Sequence, residues 1–164
     1  MSKEKEKRCY GCGAWVKVLD GATHPYIGAS PGCWHDYGLV LAKEYEAKKY
    51  FENHRLTVDA YAIQHPGVPE RRSIQSVNVH LISLALIFEH HCALDDATKR
   101  MGQMIEKYQN QFEWLEPPTF QYQITVQDVL KCKAPEDHCQ KVREWALHTW
   151  SAWDVHHPKI RKYL

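Results

Sequence analysis

An all-α fold, a helical bundle with a small N-terminal zinc-knuckle loop and hairpin segment, is what this sequence predicts. Three observations carry the prediction. After Pro31 no stretch sustains the period-two alternation of a half-buried strand. Apolar residues recur there instead at spacings of three and four, the period of one helix face. Before Pro31 the chain is dense in turn formers (GCG, LDGATHP, GASPG), with only the short apolar run WVKVL between them.

The elements follow in order. Residues 1–8 (MSKEKEKR) read as a disordered leader, 9–33 as a cysteine-bearing metal-binding segment and 34–164 as the bundle, all within a single domain of 164 residues. A first helix is expected over 34–53, where Tyr37, Leu41 and Tyr45 recur every fourth residue. Residues 55–64 form a short helix stopped at His65-Pro66-Gly67, because proline disfavours helical backbone at the residue before it. Residues 73–91 are apolar on most sides from Ile74 to Phe88, so this should be the most buried helix, with Ser73 as its cap. A more polar helix spans 94–111, and 112–123 breaks at Pro117-Pro118 into an extended surface connection. Thr125 caps a short helix over 125–132 with Asp128 in its first turn. The last long helix, 135–153, carries the stripe Val142, Trp145, Thr149, Ala152 and Trp153, and Pro158 kinks or ends it.

Composition narrows the function classes. Hydrophobic residues make up 44% and charged residues 25%, which places the chain among ordinary globular proteins rather than disordered ones. Net charge is +1, and basic residues cluster only in the leader, among glutamates, and in the tail at 159–162. No phosphate-binding face results, so nucleic acid is not an expected partner. No stretch approaches the ~18 apolar residues of a membrane helix, and no secretory signal opens the chain, so a cytoplasmic location is expected. In that compartment the six cysteines point toward metal or redox chemistry rather than disulfides.

CYGCG at 9–13 has the form of a metal knuckle: two thiolates two residues apart can face one ion, and Gly13 supplies the open backbone such a turn needs. Pro31-Gly32 then delivers Cys33, completing C-x2-C-x20-C. A redox pair would sit between a strand and a helix start, a context absent here. For the fourth donor His24, His35 or a histidine from the bundle is available; His24 is preferred, because its turn-rich surroundings leave its backbone free, with His35 as the alternative. His35 suits only if Cys33 lies outside the helix, since positions two apart in a helix diverge by ~200°. Zinc is the expected ion, with iron as the substitute.

Eleven histidines invite a second reading. His80 sits on the apolar stripe of the central helix and needs a polar partner. His65 ends the preceding helix, and His156 and His157 end the last long one. Together with Asp59, near Tyr61 and Gln75, these four histidines form a candidate catalytic pocket for acid–base or metal-assisted chemistry on a small molecule.

LTVDAYAIQHPG (56–67), SIQSVNVHLISL (73–84) and WSAWDVHHPKIRKYL (150–164), with CGA (12–14), THPYIGASPGCW (23–34) and FEWLEPP (112–118), together resemble a bacterial family of small proteins known only as a domain of unknown function. The resemblance runs from Cys9 to Leu164. It implies attention to Cys9, Cys12, His24 and Cys33, and to Asp59, Tyr61, His65, Gln75, His80, Trp153, His156 and His157. The helical layout is also similar to the metal-dependent DinB type, but the late HxxxH of that type is missing. Two functions therefore stand: a zinc-binding protein whose metal is structural, and a histidine- or metal-dependent enzyme acting on a small molecule. A protein or nucleic-acid adaptor is a third, without a basic face to support it. The sequence leaves the oligomeric state open.

Overall fold

Pro31 starts the first helix three residues earlier than periodicity suggests, because a proline at the first helical position loses no hydrogen bond that the helix would otherwise make. The computed structural model describes residues 5–119 and 121–164. Their order is β1 (Glu6–Arg8), β2 (Trp15–Lys17), α1 (Pro31–Glu46), α2 (Lys48–Phe51), α3 (His54–Gln64), α4 (Arg71–Phe88), α5 (Leu94–Tyr108), α6 (Val126–Leu130), α7 (Pro135–Ala152) and α8 (His157–Ile160). Short 3-10 turns follow α5 and flank α8. The fold is thus mostly helical, with one two-stranded antiparallel hairpin at the front.

The core forms where α3 meets α4 and α7. In α4, Leu81, Ile82, Leu84, Ala85 and Leu86 are completely buried, as its nearly all-round apolar sequence requires. From α7, Trp145 is fully buried against them, and Trp153, just past its end, donates its indole N–H to Tyr122 Oη at 2.8 Å. Thr125 caps α6 through the reciprocal box with Asp128 expected from the sequence. Pro158 opens α8 after a 3-10 turn, so the chain bends there and continues. No described helix is long and apolar enough to cross a membrane.

Three further boundaries differ from expectation. The single helix expected over 34–53 is interrupted at Ala47, whose extended backbone (φ −147°, ψ 131°) ends α1 at Glu46 and leaves Lys48–Phe51 as a separate turn. Ser73 does not cap α4: the helix begins at Arg71 after Glu70, and the buried Ser73 hydroxyl turns to the carbonyl of Tyr26 at 3.4 Å. A tertiary partner has taken the hydroxyl that local sequence assigned to the helix end. Part of the leader expected over 1–8 is instead a paired strand. Residues 1–4 lie outside the described residues, while Glu6–Arg8 pair with Trp15–Lys17 in the register Arg8 to Trp15. This highly charged strand is recruited by the turn that closes beyond it, where Cys9 N–H donates to Ala14 O (2.8 Å) and Gly13 N–H to Cys9 O (2.9 Å).

Two carboxylates are buried in the bundle, and each is surrounded by donors. Glu44 accepts from Thr57 Oγ1 (2.5 Å), His54 Nδ1 (2.6 Å) and His138 Nε2 (3.0 Å), joining α1, α3 and α7. Asp59 accepts from Arg55 at both oxygens (2.5 and 3.1 Å), Ser83 Oγ (2.6 Å) and His80 Nδ1 (2.7 Å). Burial pushes both carboxyls up. The donors, His138 foremost at Glu44 and His80 at Asp59, outweigh it and hold both below their ordinary values. Folded values below unfolded ones mean that each contributes stability above the ordinary carboxylate range and loses it as pH falls through the folded value. Urea denaturation should therefore show stability declining from about pH 5 downward. Glu44→Gln should flatten that decline and lower stability at neutral pH by about 2 kcal/mol. A decline unchanged in slope by the substitution would assign acid sensitivity to other groups.

Candidate metal centre

The turn between β1 and β2 presents Cys9 and Cys12, the first helical turn of α1 presents Cys33, and the residue that ends α3 presents His65. Each position has a local cause. Gly13 adopts a φ of +78°, letting the chain double back behind Cys12. Gly32 lets α1 start against the hairpin: a Cβ there would lie 2.0 Å from the carbonyl oxygen of Lys17. His65 leaves the helical path with φ −129° and ψ 61°, and its carbonyl accepts from Gly28 N–H at 3.0 Å.

The four donor atoms lie within 4.8 Å of one another, and all four residues are buried, Cys33 and His65 completely. Cys12 Sγ is 3.8 Å from Cys33 Sγ, and Cys33 Sγ is 3.4 Å from His65 Nε2. A tetrahedral zinc site with Zn–S of ~2.3 Å and Zn–N of ~2.0 Å has S···S edges of about 3.8 Å and S···N edges of about 3.5 Å. These two edges therefore already match. The surrounding groups orient the donors as well. His65 Nδ1–H donates to Tyr61 O at 2.6 Å, which fixes the tautomer and turns the Nε2 lone pair to the sulfurs. Ser30 N–H points at Cys9 Sγ and Tyr61 Oη–H at Cys33 Sγ, both at 3.5 Å.

Charge explains why such a group wants a cation. Contacts with Cys12 and Cys33 hold the Cys9 thiol far below its ordinary value, while contacts with Cys12 and Cys9 push Cys33 far up. Three thiolates at this spacing cannot ionise together without compensation. Burial pushes His65 down, but its contacts with Cys12 and Cys9 outweigh this and bring it up to about 9. A divalent ion would do for all three sulfurs what one imidazolium does partially. The buried Cys3His group can thus hold a metal ion.

His24, expected as the fourth donor, is elsewhere. Its Nδ1 accepts from Tyr26 N–H at 3.4 Å, and its ring lies against Tyr26 and Trp34. His35, the alternative, is exposed beside Asp36, because Cys33 is already helical and two helical residues on the ring faces away. His65 stands in their place. The signal for it was present in the sequence: like His24 it precedes a proline, and Pro66-Gly67 frees its backbone from the helix.

The expected catalytic set is dispersed. His65 belongs to the cysteine group, and His80 to Asp59. His156 Nε2–H donates to Glu116 O at 2.8 Å, and His157 Nε2–H to Trp150 O at 2.9 Å, its ring stacked on that indole. A cleft of about 740 Å³ borders the knuckle, walled by Tyr10, His24, Tyr26, Gln64 and Glu70 among others, and a cavity of about 400 Å³ lies beside His80. Neither is lined by His65, His156 or His157.

Over residues 7–154 the chain matches the family described as "Family of unknown function (DUF5946)", and it belongs to that family. No curated protein and no solved structure matches it.

Proposed function

We propose that this DUF5946 chain is a zinc protein in which Cys9, Cys12, Cys33 and His65 bind one structural ion that fastens the hairpin to α1 and α3. The observation that carries this reading is the closed set of four dry donors from three separate segments. Four protein ligands leave no position for water or substrate, so the ion would supply cohesion rather than Lewis acidity. Cohesion is also what the segment lacks. Apart from Cys9 and Cys12, the described residues before α1 bury only Ala14, Val16, Ala29 and Ser30. At ~25 cal/mol per Å² of apolar surface, three small side chains contribute only a few kcal/mol, little against the backbone entropy of ordering some twenty residues. Three thiolates with one imidazole suit zinc better than the oxygen-seeking divalent ions.

Elemental analysis of the purified chain tests this directly. One equivalent of zinc per chain is expected, and replacement by cobalt should give the intense thiolate charge-transfer and d–d bands of a tetrahedral site. Iron in its place would keep the site and correct the metal. A folded, metal-free chain whose three front thiols react freely with a thiol reagent would overturn the reading.

A further inference from the structure

The four donors of the metal centre are not equally sheltered. Cys33 and His65 are wholly enclosed, whereas Cys9 and Cys12 each keep 2% of their surface open. These two cysteines, and neither of the other donors, border the cleft of about 740 Å³ beside the knuckle. Cys33 is sealed in the first turn of α1, with Tyr61 Oη and His65 Nε2 against its sulfur at 3.5 and 3.4 Å. A molecule of about the size of water that enters the cleft therefore meets the knuckle pair first.

The same two cysteines share one turn, closed by Gly13 N–H on Cys9 O at 2.9 Å, which brings their backbones within the reach of a disulfide. Their sulfurs already stand within 4.8 Å of each other. Such a bridge would fasten the knuckle only to itself. It closes the short loop from Cys9 to Cys12 inside one segment, while the ion joins that turn to α1 and to the end of α3. Cys33 and His65, left alone, make only half of a tetrahedral zinc site.

We propose that the metal centre is a redox-sensitive latch: a hydroperoxide oxidises Cys9 and Cys12 to a disulfide, zinc leaves, and the hairpin segment comes free of α1 and α3. The latch rests on the structural-zinc reading of the same site. In the oxidation the two thiolates give up two electrons and form the S–S bond. The O–O bond of hydrogen peroxide breaks, and two protons from solvent complete two molecules of water. With two of the three thiolate charges gone, the ion departs as Zn²⁺, its own oxidation state unchanged. A dithiol returns the two electrons, and the knuckle can then take up zinc again.

The test treats the full, zinc-loaded chain with hydrogen peroxide and follows released zinc with a chromogenic chelator. All of the bound zinc should be released, and peptide mapping by mass should place the new bridge between Cys9 and Cys12. Protease should gain access to the segment before α1 while helical circular dichroism persists, and dithiothreitol with added zinc should restore protection. Cys92→Ser, outside the metal group, should release zinc at the parent's rate. A bridge from Cys12 to Cys33, whose sulfurs are 3.8 Å apart, would overturn the proposal, because it would tie the hairpin to α1 instead of freeing it. So would zinc that stays bound at peroxide exposures that oxidise Cys92. A chain purified without zinc fails the structural reading before any oxidant is added, which keeps the two failures apart.

Discussion

Replacing Cys33 by alanine is expected to abolish stoichiometric zinc binding and to lower the melting temperature by about 8–16 °C. Cys33 is the completely buried donor on α1, in contact with Cys12 on one side and His65 on the other. Without it Cys9, Cys12 and His65 remain, an open site of lower affinity with a void where the third sulfur stood. Structural zinc contributes ~10–16 kcal/mol in small peptides whose folding depends wholly on it. In this chain the core where α3 meets α4 and α7 is built from side chains other than the four donors, so the variant should keep that core and lose the attachment of the hairpin. A loss of about 4 kcal/mol corresponds to the stated shift at ~2–4 °C per kcal/mol for a domain of this size. Helical circular dichroism should change little, while protease should gain access to the segment before α1. Cys139→Ala is the control. Its sulfur donates to Lys49 O at 3.3 Å, remote from the metal group, and zinc content should be unchanged. A Cys33→Ala protein that retains a full equivalent of zinc and melts within 3 °C of the parent would remove the structural role from this site.

How much of this was legible in the sequence depends on whether the cause was local. The helices of the bundle and the Thr125 box follow from periodicity and capping chemistry, and the structure places them within a few residues of expectation, except that the helix expected over 34–53 is broken at Ala47. The three front cysteines could be singled out because glycine and proline turns sit beside them, and those turns are what aim them inward. His65 is marked by the proline after it, as His24 is, but its meeting with the sulfurs is not written locally. It reaches the sulfurs because the loop at 27–29 pairs with it through Gly28 N–H, a contact between segments 37 residues apart in sequence that no local pattern encodes. The strand Glu6–Arg8 was missed for a related reason. Its residues have no strand preference of their own, and only closure of the knuckle brings them opposite Trp15–Lys17. Ser73 shows the converse, a good local cap overridden because Tyr26 O lies within reach.

Gly11→Ala should disrupt the metal site although it removes no ligand. A Cβ on Gly11 would lie 2.4 Å from the carbonyl oxygen of Gly28 and 2.4 Å from Cδ2 of the His65 ring. Neither neighbour can step aside cheaply. Gly28 is itself pressed on Gly67, where its own added Cβ would meet backbone atoms at 2.9 Å. Gly67, at a φ of +75°, admits no L side chain without strain. The knuckle, the loop at 27–29 and the turn after α3 are therefore stacked backbone on backbone, and the methyl can be accommodated only if the knuckle or the imidazole shifts. Either movement spoils the tetrahedron, because Nε2 and the sulfurs have about half an ångström of tolerance. Zinc affinity, measured by competition with a chelator, should fall about 100-fold, the upper end of what disturbing the orientation of an intact ligand costs. Gly38→Ala provides the contrast. It lies in the exposed middle of α1 with nothing within 4 Å of its Cβ position, so alanine should leave zinc affinity unchanged and add about 0.5–1 kcal/mol of stability. If Gly11→Ala held zinc as tightly as the parent, the glycine stack would not be what positions His65. The fourth donor's placement would then have to come from the Tyr61 hydrogen bond alone.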